Sequence, residues 1–175
     1  MRLKLLLLLL FFVPEASAQE ALRGLEWGMS RAEVYGIEIE NGSELNTLNQ
    51  TTLYFYAEHL GHPALLAYEF DEDALTTAVA FYGQYYNATP PDSLGLIYMD
   101  VTIALAAALG SPDTSTEDWS ADVATGRDIS VAAVHAGNVS LEHVWYTTAA
   151  ASITLQYARI EEEPQIRVVY AGPTY

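Results

Sequence analysis

Three consecutive runs limit this chain more than any other feature. "TTLYFYAE" (51–58), "ALLAYEF" (64–70) and "LTTAVAFY" (75–82) are separated only by "HLGHP" (59–63) and by Asp71-Glu72-Asp73-Ala74. Each run is rich in the aromatic and branched residues that suit a pleated, half-buried surface. In the third, Val79 and Phe81 alternate with Ala78, Ala80 and Tyr82, as a strand with one buried face requires. Connections this short leave no room for a crossover, so the strands must be antiparallel neighbours. The polar stretch 40–50 ahead of them reads as a loop.

Upstream lies "LEWGMSRAEV" (25–34), with Ser30 three residues before Glu33. This is the spacing of a capping box, in which a serine oxygen and a glutamate carboxylate satisfy free backbone N–H groups at a helix start. Gly28 permits a tight approach, Trp27 and Val34 bracket it with apolar contacts, and a helix over roughly 31–38 follows. Trp27, Gly28, Ser30 and Glu33 are therefore structural residues.

The second half is expected to repeat the first. Leu94, Ile97, Tyr98, Val101, Leu105 and Leu109 recur at steps of three and four, a helical stripe ended by Gly110 and Pro112. A loop carrying Trp119 leads to "ISVAAVHAGNVSLEHVWY" (129–146), where Gly137-Asn138 reads as a two-residue hairpin turn. That register pairs Ala136 with Val139 and His135 with Ser140, and gathers Ala132, Val134, Val139, Leu141 and Trp145 on a core face. "SITLQYAR" (152–159) and "QIRVVYA" (165–171) complete the sheet. The expected fold is α+β: two tandem units of helix followed by antiparallel β-meander, over 19–89 and 90–175, forming one compact domain with helices packed on one face of the sheet.

Residues 1–18 read as a signal peptide. Arg2 and Lys4 precede an apolar stretch from Leu5 to Val13, Pro14 breaks it, and Ala16-Ser17-Ala18 supplies the small-x-small cleavage pattern. Nine apolar residues fall well short of the roughly 20 that span a bilayer. Cleavage after Ala18 gives an exported protein, in a bacterial periplasm or outside the cell, with no later membrane insertion. The chain carries a net charge of −16, and Lys4 is its only lysine. Beyond the leader, five arginines (23, 31, 127, 159 and 167) face twenty-two acids. That balance argues against nucleic acid or anionic lipid as a partner. The absence of cysteine removes thiol catalysis and thiolate metal sites.

On these residues the chain resembles a family of small exported bacterial proteins with no assigned function. The likeness rests on "LRGLEWGMSRAEV", a Y-x-F hairpin in "AYEFDEDALTTAVAFY", the helix end "LAAALGSPD", Trp119, "VWYTTAAASITLQY" and "IRVVYAG". More distantly, the G-M-S-x-x-E-V start and L-G-x-P are similar to repeats of β-lactamase inhibitor protein and of small outer-membrane assembly lipoproteins. The resemblance implies a non-enzymatic binder of proteins. The lipoprotein cysteine is missing, so a lipid anchor does not carry over.

Two surfaces are candidate binding sites. One is the acidic hairpin tip Asp71, Glu72 and Asp73 with Phe70 beside it, suited to another exported or envelope protein. The other is "FYGQYYN" (81–87), where Tyr82, Tyr85 and Tyr86 offer rings to a sugar or small ligand. His59 and His62 bracket a turn, and His135 and His143 lie apart in the proposed hairpin, so no metal site is expected. No cofactor is expected either. The acidic clusters lack the calcium-loop spacing, and no nucleophile elbow or phosphate loop occurs. A protein-binding module is thus the leading reading, a carbohydrate or small-ligand binder the second, and a hydrolase the third.

Overall fold

The computed structural model describes residues 22–83, 93–121, 129–147 and 151–173. The elements run α1 (Arg31–Glu40), β1 (Glu44–Leu48), β2 (Thr52–His59), β3 (His62–Asp71), β4 (Ala74–Tyr82), α2 (Leu94–Leu109), β5 (Thr114–Trp119), α3 (Val131–His135), β6 (Val139–Tyr146), β7 (Ser152–Ile160) and β8 (Glu163–Ala171). All eight strands form one antiparallel sheet in the order β1-β2-β3-β4-β8-β7-β6-β5.

This corrects the expectation of two tandem helix-plus-meander units. The strands join into one large sheet because β4 and β8 pair from Thr77↔Ala171 to Tyr82↔Ile166, and a single long helix, α2, accompanies it. Two of the strands come from segments that read as loops. β1 and β5 are the outer edges, and their residues are almost all exposed, so neither has a buried face to impose alternation.

A second correction concerns residues 131–137. They form α3 and its cap, not a hairpin strand. Ser130 Oγ accepts from the Ala133 N–H, starting the helix. At its other end Gly137 takes φ +77°, its N–H donates to Val134 O, and the Asn138 N–H donates to Ala133 O. These two bonds make a left-handed glycine cap. Gly137 does need positive φ, but for a helix end rather than a hairpin. The pairings Ala136–Val139 and His135–Ser140 are therefore absent.

Successive rows of the sheet point to opposite faces. One face carries Phe55, Leu66, Tyr68, Ala80, Leu155, Ile166 and Val168, all buried, and they join Val34, Leu94, Val101, Leu105 and Val134 from the three helices in one core. Tyr35 contacts Phe55, Tyr98 contacts His143 and Tyr157, and His135 contacts Tyr157, so all three helices bear on this face. Ser30 and Glu33 make the complete capping box at the start of α1. Trp27 lies against the backbone of Gly172, where an added Cβ would come within 2.7 Å of the indole. Gly28, at φ +85°, donates its N–H to Leu75 O. Trp145 is buried and donates its indole N–H to Gly110 O at 3.0 Å, tying β6 to the end of α2.

Candidate functional site

The other face of the sheet, on which no helix of the described residues packs, is built on one unbroken row. Glu44, Tyr56, Leu65, Phe81, Arg167, Gln156, Glu142 and Thr116 are cross-strand partners in turn, one from each of the eight strands. At the usual strand spacing such a row is roughly 34 Å long. Its composition changes along its length. Around the β2–β4 part Leu65, Ala67 and Val79 are buried, whereas from Arg167 to Thr116 every residue is polar.

The polar half surrounds a cavity of about 240 Å³ lined by Thr116 and Asp118 from β5, Ser140 and Glu142 from β6, and Gln156 from β7. Next to it, Arg167 donates from Nε to Gln156 Oε1 at 2.7 Å, which fixes the amide. Alternation places these groups together: on β6 and β7 each is the polar neighbour of a residue that packs on the core, as Glu142 is of Leu141 and Gln156 of Leu155 and Tyr157, whereas Thr116 on β5 has the exposed Ser115 and Glu117 beside it. Two carboxylates, two hydroxyls, an amide and a guanidinium thus stand on four neighbouring strands. They can accept and donate several hydrogen bonds at once and present net negative charge.

The hairpin tip is only partly free. Asp71, Glu72 and Asp73 are exposed, but Asp73 Oδ1 accepts from the Arg31 N–H at 3.2 Å, which puts a carboxylate at the positive end of α1. Phe70 is buried at 9 % exposure beneath the Arg31 guanidinium, whose carbon is 5.3 Å from the ring centroid. Phe70 is therefore core rather than an anchor for a partner. Tyr82 is also core, at 1 % exposure. Tyr85 and Tyr86 lie outside the described residues, as do residues 1–18.

A second polar cluster is buried under α1. Glu38, fully buried, accepts from Tyr68 Oη at 2.7 Å and from Ser43 Oγ, and lies 3.3 Å from Arg23 Nε. Arg23 also donates to Glu58 O. Burial, reinforced by the Glu38 carboxylate, pushes the Tyr68 hydroxyl well above its ordinary value. Nearby, His59 is buried with Nε2 2.9 Å from Tyr170 Oη and Nδ1 against Tyr82 Oη. Burial, then the Arg23 charge, lowers its pKa to about 4. His62 pairs with Asp100 at 3.3 Å and His143 with Ser115 Oγ at 2.8 Å. Among the described residues no three His, Asp or Glu side chains gather as a metal site.

The trough was invisible as a site in the sequence. Its residues are ordinary solvent-side strand positions, two of them on a strand that read as loop. No protein-family model matches the chain, nor does any curated protein or solved structure.

Proposed function

We propose that the protein is an exported, non-enzymatic module that binds another protein, and that the partner offers a basic patch to the polar half of the sheet face opposite the described helices. The observation that carries this reading is the row from Arg167 to Thr116. It leaves the polar trough without a described helix above it, on strands of which β6, β7 and β8 pack their opposite side into the core. The net charge of −16 favours a basic partner and speeds its encounter through complementary potential. Export rests on the leader pattern of residues 1–18. The hairpin tip, with Phe70 buried and Asp73 engaged, is a weaker candidate than the trough.

The test is affinity capture by the tagged protein from an exported fraction, repeated with Asp118→Lys combined with Glu142→Lys. Loss of a stoichiometric partner, with the circular dichroism spectrum unchanged, is the expected result. A partner retained by the trough variant but lost by Asp71→Lys with Glu72→Lys would move the site to the tip. Capture that depends on neither would sink the reading.

A further inference from the structure

Helix α2 hides one apolar face and shows another. Leu94, Val101 and Leu105 are buried, yet Leu96, Met99 and Ile103 are 66 %, 58 % and 64 % exposed. A surface helix of a monomer places polar residues there. With 3.6 residues per turn, Leu96, Ile103 and Gly110 fall in one line, Ala107 lies beside it, and Met99 and Asp100 flank it. Side-chain size falls along that line, from Leu96, Met99 and Ile103 in the first half to Ala107 and Gly110 in the second.

We propose that this stripe is the contact between two copies of the chain, with the α2 helices packed antiparallel about a two-fold axis at Ile103. The gradient of size is what selects the arrangement. In an antiparallel pair Leu96 falls opposite Gly110 of the partner subunit and Met99 opposite the partner subunit's Ala107, so bulk meets space at both ends. A parallel pair sets bulk against bulk and leaves a gap where the small residues meet. The two-fold operation makes each contact occur twice, as an isologous interface requires. Asp100 is the acid on the stripe's flank, and it already pairs with His62. Antiparallel packing keeps the two Asp100 carboxylates about 9 Å apart along the helix axes, from six residues of rise.

Size and charge set the strength. A 16-residue helix is about 24 Å long and about 10 Å across, so one helix pair of that length falls short of the ~800 Å² per partner of a standard stable interface. The dimer is therefore reversible and concentration-dependent. Each copy carries a net charge of −16, so added salt strengthens the association by screening that repulsion. The same charge disfavours an anionic bilayer as the occupant of the stripe.

The chain contains no cysteine, so a single introduced thiol reports on the two-fold axis. Under mild oxidation Ile103→Cys should cross-link rapidly, and Ala107→Cys, whose copies sit about 12 Å apart along the axes, should do so slowly. Sedimentation of the unmodified protein should show a monomer–dimer equilibrium that shifts towards dimer as salt rises. Ile103→Glu, at an exposed position, should weaken that equilibrium by about 100-fold or more, whereas Ala108→Glu, off the stripe, should leave it unchanged. A monomer at every concentration, equal cross-linking at positions 103 and 107, or binding of anionic vesicles by a protein that stays monomeric would each overturn the proposal.

Discussion

Single residues carry two measurable commitments. Ser30 and Glu33 satisfy each other's neighbouring N–H groups, with Glu33 2.8 Å from the Ser30 N–H, and Ser30→Ala should cost about 1 kcal/mol in a denaturant titration. A partner lost with no change in stability would instead make this stretch a binding site. His59 sets the acid limit. Unfolded, it takes up its proton near 6.5; folded, its pKa is lowered to about 4. Between those values the unfolded chain binds more protons. Its contribution is therefore complete above pH 6.5 and lost progressively as pH falls towards 4, on the order of 3 kcal/mol in all. Carboxylates titrate near the lower end too, so the informative quantity is the difference between the protein and His59→Gln. That difference should shrink between pH 6.5 and 4; a constant difference would mean that burial does not hold the imidazole neutral.

Elements are decided by how their ends are made, and here some ends were readable and others not. Three hairpins turn on pairs with positive φ at both positions: Leu60-Gly61, Glu72-Asp73 and Glu161-Glu162. That is the turn whose twist matches antiparallel strands, and it favours Asn-Gly. Glu161→Asn with Glu162→Gly should therefore raise stability by roughly 1 kcal/mol, since the Arg159–Glu162 pair it sacrifices is exposed and worth little. An unchanged or lower melting temperature would show that the glutamates are not strained. The opposite outcome belongs to Gly137→Ala, which forces a side chain to φ +77° and sets its Cβ 3.3 Å from Arg159. A loss of about 1 kcal/mol or more is expected. The start of α1 was legible because the capping box is entirely local, and β2 to β4 were legible because each is an apolar, aromatic-rich run bounded by a short turn, although the middles of β3 and β4 are buried on both faces. Gly137-Asn138 was misread because a helix cap and a hairpin ask the same backbone of a glycine. β1 and β5 were missed because "ELNTL" and "TSTEDW" are edges with little to bury. The polar trough went with them, since two of its walls stand on β5, and the tip drew attention because its acids are contiguous.

The whole molecule is ordered from its middle outwards. β4 and β8 are paired on both sides and adjoin the core of all three helices, whereas β1 and β5 are each paired on one side only. Local opening costs least where few buried contacts are lost, so hydrogen exchange should be slowest in β4 and β8 and fastest in β1 and β5. Thr116 and Asp118, on β5, are therefore held at the least protected margin of the sheet, with Glu142 and Gln156 on successively better protected strands. A partner bound in the trough must quiet that margin, because it contacts β5 and β6 together and the pair can then open only after it leaves. Exchange of the β5 amides should slow on binding while those of β1, at the far edge, stay as they were. If β5 is already as protected as β8 in the free protein, the sheet opens as one unit and this gradient is wrong. If binding slows β1 instead, the partner sits at the other end of the row, against Glu44 and Tyr56.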